Sequence, residues 1–130
     1  MSRRIYTILL FGLLACTGCG RKSTDDLIGD LKSQKGGDRV SAVRLLPQHK
    51  GDAAKVVPAL VESLKDQDSS VRWSAAIGLG YFHEQAKGAI PALETAAKDH
   101  DPRVREGARV ALHRIDPERF PDARIRDKGK

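Results

Sequence analysis

An all-α fold, a short α-solenoid of antiparallel helix pairs, is predicted by three features of the 130-residue sequence. The first is an internal echo at an offset of 33 residues. Pro58-Ala59-Leu60 lands on Pro91-Ala92-Leu93, Arg39 on Arg72, Ser41-Ala42 on Ser74-Ala75, Leu46 on Leu79, Ala53 on Ala86, and Lys65-Asp66 on Lys98-Asp99. A fixed period held through much of a chain marks a repeat architecture. The second is helical spacing: Val71, Ala75 and Leu79 recur at i, i+4, i+8, as do Val104, Ala108 and Leu112, so each set forms one apolar stripe. The third is composition. The chain is 31% charged, 40% hydrophobic and only 5% aromatic, a balance that favours helices over a β-sandwich. One small domain's worth of sequence excludes a large enzyme with separate cofactor and substrate domains.

The elements follow in order. Residues 1–15 read as a secretory leader, with Arg3 and Arg4 ahead of an apolar run from Ile5 to Ala15. The run is too short to span a bilayer, which needs about 20 residues. Leu13-Leu14-Ala15-Cys16 resembles the lipobox of bacterial lipoproteins, in which the cysteine is acylated and becomes the first residue of the mature chain. The resemblance implies lipidation at Cys16, with Cys19 the runner-up, because Cys19 would have Cys16 in place of an aliphatic residue at −3. Two cysteines so close together make no disulfide framework. Residues 16–22 are then a lipidated linker. The resemblance implies a place on the extracytoplasmic side of the cell envelope. Thr17 rather than Asp after Cys16 slightly favours the outer membrane in a Gram-negative cell.

The repeat domain covers residues 23–116. A lone helix is expected over 24–34, helix pairs over 38–66 and 69–99, and a final helix over 102–115, about two and a half repeats. Asp68 and Asp101 are N-caps for the first helix of their units, and Pro102 suits the first helical position. In the first unit Lys35-Gly36-Gly37-Asp38 stands where an Asp cap is expected, so that helix is predicted to start late. The second helices are predicted to begin at Pro58 and Pro91 and to end near Lys65 and Lys98, where a cation suits the helix dipole. From Pro117 the segment 117–130 is charged, aperiodic and carries two prolines, and reads as a basic disordered tail in which Phe120 packs back on the last helix.

Asp68-Ser69-Ser70-Val71-Arg72-Trp73-Ser74-Ala75-Ala76-Ile77-Gly78-Leu79-Gly80 resembles the D-x-x-V-R-x-x-A-A-x-A-L-G signature of HEAT-like repeats. Ala89-Ile90-Pro91-Ala92-Leu93 resembles the A-V-P-A-L that opens the second helix in that family. The subtype is similar to the repeats of phycobilisome lyases and bacterial scaffold proteins. The resemblance implies a stack of helix pairs that binds other proteins.

The net charge of +6 is unevenly placed. Residues 17–102 carry twelve basic and twelve acidic side chains, whereas 103–130 carry nine and five. No aromatics interleave with the cations, so nucleic-acid binding finds no support. Catalytic patterns are missing as well: no HExxH, Walker or G-x-S-x-G motif is present. His83-Glu84 is a lone pair, its counterparts being Lys50-Gly51 and Asp116-Pro117, so no metal site and no cofactor are expected.

Two faces are candidates for binding another protein. Arg72, Trp73, Ile77 and Tyr81 form the first, lying beside the buried stripe; their neighbours in the flanking units are Val40, Arg44 and Gln48, then Glu106, Val110 and Arg114. Trp, Tyr and Arg are enriched at binding hot spots. The second face, on the second helices, carries Glu62, Lys65, Glu94 and Lys98. The expectation is therefore a non-enzymatic interaction or scaffold module held to a membrane by lipid, with self-association through the array ends also open. The alternative is a lyase-like or chaperone-like protein that handles a prosthetic group.

Overall fold

A computed structural model describes residues 20–121. The leader 1–15, Cys16, Cys19 and the end of the tail, 122–130, lie outside the described residues.

Six α-helices follow in order: α1 (Thr24–Asp30), α2 (Gly36–Leu45), α3 (Ala53–Ser63), α4 (Ser69–Gly80), α5 (Ile90–Ala96) and α6 (Pro102–Ile115). The starts of α2, α4 and α6, and the ends of α1, α3 and α5, are each 33 residues apart. Packing groups them as three hairpins, α1 with α2, α3 with α4 and α5 with α6. Each is closed by a five-residue loop (31–35, 64–68 and 97–101). The packing unit is thus offset by half a period from a unit that begins with the signature helix. Regrouped this way, the same six helices make three whole pairs and leave no orphan helix. That matters for stability, since a repeat folds only against its neighbours.

One layer is α2, α4 and α6 side by side; α1, α3 and α5 form the other. The core runs between them. Val71, Ala75, Leu79, Val104 and Ala108 are fully buried and share one apolar cluster with Val43, Leu46, Val56, Leu60 and Leu93. Small residues let the first layer close up. A Cβ on Gly80 would lie 3.1 Å from the Ala111 Cα, so α4 and α6 touch there almost backbone to backbone.

Caps follow the sequence reading at Asp68 and Asp101, whose Oδ1 atoms accept from the backbone N–H of Ser70 and Arg103, each at 2.8 Å. Ser23 and Asp26 add a reciprocal capping box on α1. The late start expected for α2 is not seen. Lys35 has the same backbone conformation as Asp68 (φ −86°, ψ 119°), and α2 starts in register without a side-chain cap. The loop imposes the turn instead: the Ser33 hydroxyl accepts from the Lys35 N–H at 3.2 Å. Asp66 and Asp99 do the same for Asp68 and Asp101.

A second correction concerns α3. It begins at Ala53 and contains Pro58, rather than starting there. Ala53, Ala54 and Lys55 favour the helix, the full burial of Val56 and Leu60 holds it through Pro58, and the missing Pro58 N–H removes one bond. One period later Gly88 replaces Lys55, the segment His83–Ala89 stays in 3₁₀ form, and α5 opens at Ile90-Pro91 as expected. Beyond Asp116, residues 117–120 make a turn: Phe120 donates its N–H to the Asp116 carbonyl at 2.9 Å and is half-buried against the core. The start of the basic tail is therefore part of the fold.

One substitution tests the loop geometry. Ser69 lies beside Asp101, and one period earlier Gly36 lies beside Asp68, where a Cβ would sit 3.1 Å from Oδ2. Gly36→Ser restores the missing hydroxyl and removes the entropic cost of a helical glycine. It is expected to raise stability by about 0.5–1 kcal/mol in urea titration.

Candidate interaction surface

Each hairpin carries an arginine at the same position, and those of the first two tie the stack together. Arg72 of α4 donates from Nη1 to the Asp66 and Gln67 carbonyls of its own loop at 2.8 and 3.1 Å. Its Nε and Nη2 grip the Asp99 carboxylate of the next loop at 2.8 and 3.0 Å. Arg39 repeats this on the Ser33 and Gln34 carbonyls and on Asp66. Arg105 holds the Asp99 and His100 carbonyls, and no carboxylate meets it among the described residues. The bidentate fork is the strong form of this contact. In the Arg72–Asp99 pair only 8% and 11% of the side-chain surfaces are exposed.

The Arg72 guanidinium and the backbone N–H of Asp101 hold the Asp99 carboxyl below its ordinary range, against the opposing effect of burial. Burial disfavours the charged form of Asp66, but Arg39, the Asp68 N–H and Arg72 outweigh it and lower this pKa too. Asp101 is held at about 2 by the Ser69 hydroxyl and the Arg103 N–H.

This arrangement removes Arg72 from the proposed binding face. Its guanidinium is buried in the rung, whereas Trp73, Ile77 and Tyr81, on the next strip of α4, line a surface groove of about 480 Å³. The opposite wall is Val43 and Arg44 at the end of α2, then Pro47, Gln48 and Lys50 of the connector that follows. The groove therefore lies between the first and second hairpins and exists only when they stack. Trp73 is half-buried because its ring rests on α6 where Gly107 leaves room: a Cβ there would be 3.0 Å from Cδ1. Its other side is left to the groove. Tyr81 is 48% exposed, and the Arg114 guanidinium lies 5.3 Å from its ring centroid.

Over residues 24–113 the sequence matches the family model for HEAT repeats. The chain belongs to the HEAT-repeat family. No curated protein matches it. HEAT repeats generally mediate protein–protein interaction, and this array offers two layers for it. On the second-helix layer the candidate charges are spread out and partly paired: Lys65 holds Glu62 at 3.1 Å, Arg119 holds Glu94 at 2.9 Å, and Lys98 is exposed. The HEAT array scatters its histidines. His49 contacts the Thr24 hydroxyl, His83 the Arg114 carbonyl, His100 the Arg72 fork and His113 the Phe120 carbonyl. No group of three or more His, Cys, Asp or Glu lies close enough to hold a metal among the described residues. No described helix is long and apolar enough to cross a membrane.

Sequence reasoning missed Pro47 and Lys50 because they sit on the connector after α2, outside any helical period. It also missed Ser74 in the groove, which is 5% exposed and whose Oγ has no hydrogen-bond partner among the described residues. An unsatisfied buried hydroxyl is costly. Ser74→Ala is expected to stabilise the array by about 1 kcal/mol, raising Tm by about 5 °C.

Proposed function

We propose that the protein is a non-enzymatic protein-interaction module, held by acylated Cys16 to the extracytoplasmic side of a bacterial membrane. The observation that carries the interaction reading is the groove between α2 and α4, where Trp73, Ile77 and Tyr81 leave apolar surface open beside unpaired cations. Rigid aromatic and Arg groups of this kind anchor protein interfaces. The lipobox-like Leu13-Leu14-Ala15-Cys16 supports the tether. Two or more acyl chains on one cysteine would hold the array stably at the surface.

A different protein fits better than a second copy stacked end to end. The ladder leaves Arg105 at one end, but the equivalent loop position at the other end is Ser33, not Asp. No third ion-paired rung forms across such a junction.

Crosslinking mass spectrometry on intact cells tests this reading, together with the mass of the mature chain. The expected result is a protein linked to the array and a chain that begins at an acylated Cys16. An uncut leader without fatty acid would overturn the tether. A prosthetic group that copurifies in stoichiometric amount, with no protein crosslink, would overturn the interaction reading.

A further inference from the structure

We infer that the groove between α2 and α4 receives an acidic amphipathic helix of the partner protein, its apolar residues against Trp73 and Ile77 and its carboxylates against Arg44 and Lys50. This inference rests on the interaction-module reading and adds the face used and the chemistry of what binds there.

Charge complementarity carries it. The residues lining the groove include two cations, Arg44 and Lys50, and no carboxylate. Both are exposed, and neither has an ion-pair partner among the described residues. A third cation, Arg114, lies over the Tyr81 ring at the far side. By contrast, on the second-helix layer Lys65 is paired with Glu62, and Glu94 is taken by Arg119 from the turn after α6. Lys98 on that side is also exposed, but no apolar groove adjoins it among the described residues; the groove between α2 and α4 is where unpaired cations and open apolar surface coincide.

Their spacing decides the kind of partner. Arg44 and Lys50 stand along the α2 side of the groove and Arg114 lies beyond Tyr81 on the other, so they meet several carboxylates spread along a segment better than one anionic head group. A volume of about 480 Å³ takes a few apolar side chains, which a helix supplies at i, i+3 and i+4. Rim charges chiefly steer encounter and select partners, while the buried apolar centre supplies most of the affinity.

The test selects peptides from a random displayed library on the purified full chain and follows binding through Trp73, the single tryptophan. Enriched peptides are expected to be net negative with apolar residues at helical spacing, and to shift Trp73 emission saturably. The double variant Arg44→Glu, Lys50→Glu is expected to weaken them about tenfold or more, on the order of 1.4 kcal/mol per factor of ten. Both sites are exposed, so folding is not at stake; Tyr81→Ala provides a second, apolar, variant.

Failure to enrich peptides, enrichment of neutral or basic ones, or binding that the double variant leaves unchanged would overturn the inference. So would an equal Trp73 shift with phosphatidylglycerol–phosphatidylcholine vesicles, which assigns the groove to a membrane. A shift with protein concentration alone would assign it to a second copy. If selection fails while partners crosslink through the second-helix layer in cells, this inference falls and the interaction-module reading stands; if no protein crosslinks at all, both fall.

Discussion

Replacing Arg72 with alanine is expected to cost about 3 kcal/mol, a loss of roughly 15 °C in Tm for a domain of this size. The deletion leaves Asp99 buried without its partner and strips the Asp66 and Gln67 carbonyls of their shared donor. Arg72→Lys should recover little, because an ammonium cannot serve two loop carbonyls and a carboxylate from one fixed fork. Asp99→Asn should fall between the two. Urea titration monitored by circular dichroism at 222 nm measures all three.

Acid should weaken the same rung. The Asp99, Asp66 and Asp101 carboxyls have lowered pKa values in the fold. Groups of this kind add stability above their unfolded pKa of about 4 and lose it as pH falls through the folded value. With Asp101 titrating at about 2, Tm is expected to stay flat above about pH 5 and to drop between about pH 4 and 2. In Asp99→Asn the drop should be shallower. A Tm that instead falls on the alkaline side, between pH 6 and 8, would contradict the assignment.

The second large effect is expected from Gly80→Val, at about 2–3 kcal/mol. A Cβ at this site meets the Ala111 Cα at 3.1 Å, the Arg114 Cδ at 3.3 Å and the Ala111 Cβ at 3.4 Å. The Arg114 stem can swing away, but the Ala111 backbone is fixed within α6. The γ-methyls of valine therefore force α4 and α6 apart along the whole first layer. Gly80→Ala should cost under about 1 kcal/mol, since the gain in helix propensity offsets most of the crowding. Because Trp73 rests on Gly107 of α6, separation of these two helices should also shift Trp73 emission to the red in Gly80→Val.

Much of the fold was legible because a repeat writes its constraints several times. The stripes Val71/Ala75/Leu79 and Val104/Ala108/Leu112 mark faces that are now buried, and the 33-residue offset recurs in the helix boundaries. The hairpin grouping was not legible, since periodicity fixes the length of a unit but not where it begins. The Arg ladder was only half visible. Arg39/Arg72 and Asp66/Asp99 each echo in the sequence, yet pairing Arg72 with Asp99 requires knowing that the start of α4 meets the next loop, 27 residues on from Arg72. A charge that repeats next to a buried stripe, as Arg72 does beside Val71, is the signal that could have moved it from the binding face to the interior.

The start of α3 was misplaced because proline was read as a helix opener, whereas Pro58 is tolerated inside a helix held by the buried Val56 and Leu60 on either side of it. The groove was partly read: the α4 wall of Trp73, Ile77 and Tyr81 follows from helical spacing, and Arg44 and Gln48 from the period. Pro47 and Lys50 belong to an irregular connector that no period describes.

The central claim is that this array works through its first-helix layer, at the groove between two stacked hairpins. A photo-crosslinking amino acid placed at position 77 in intact cells, with matched chains carrying it at 62 and at 98, tests that most directly. The expected result is a discrete protein adduct at 77, lost when Arg44 and Lys50 are reversed to glutamate, and none at 62 or 98. Adducts at 62 or 98 with none at 77 would contradict it.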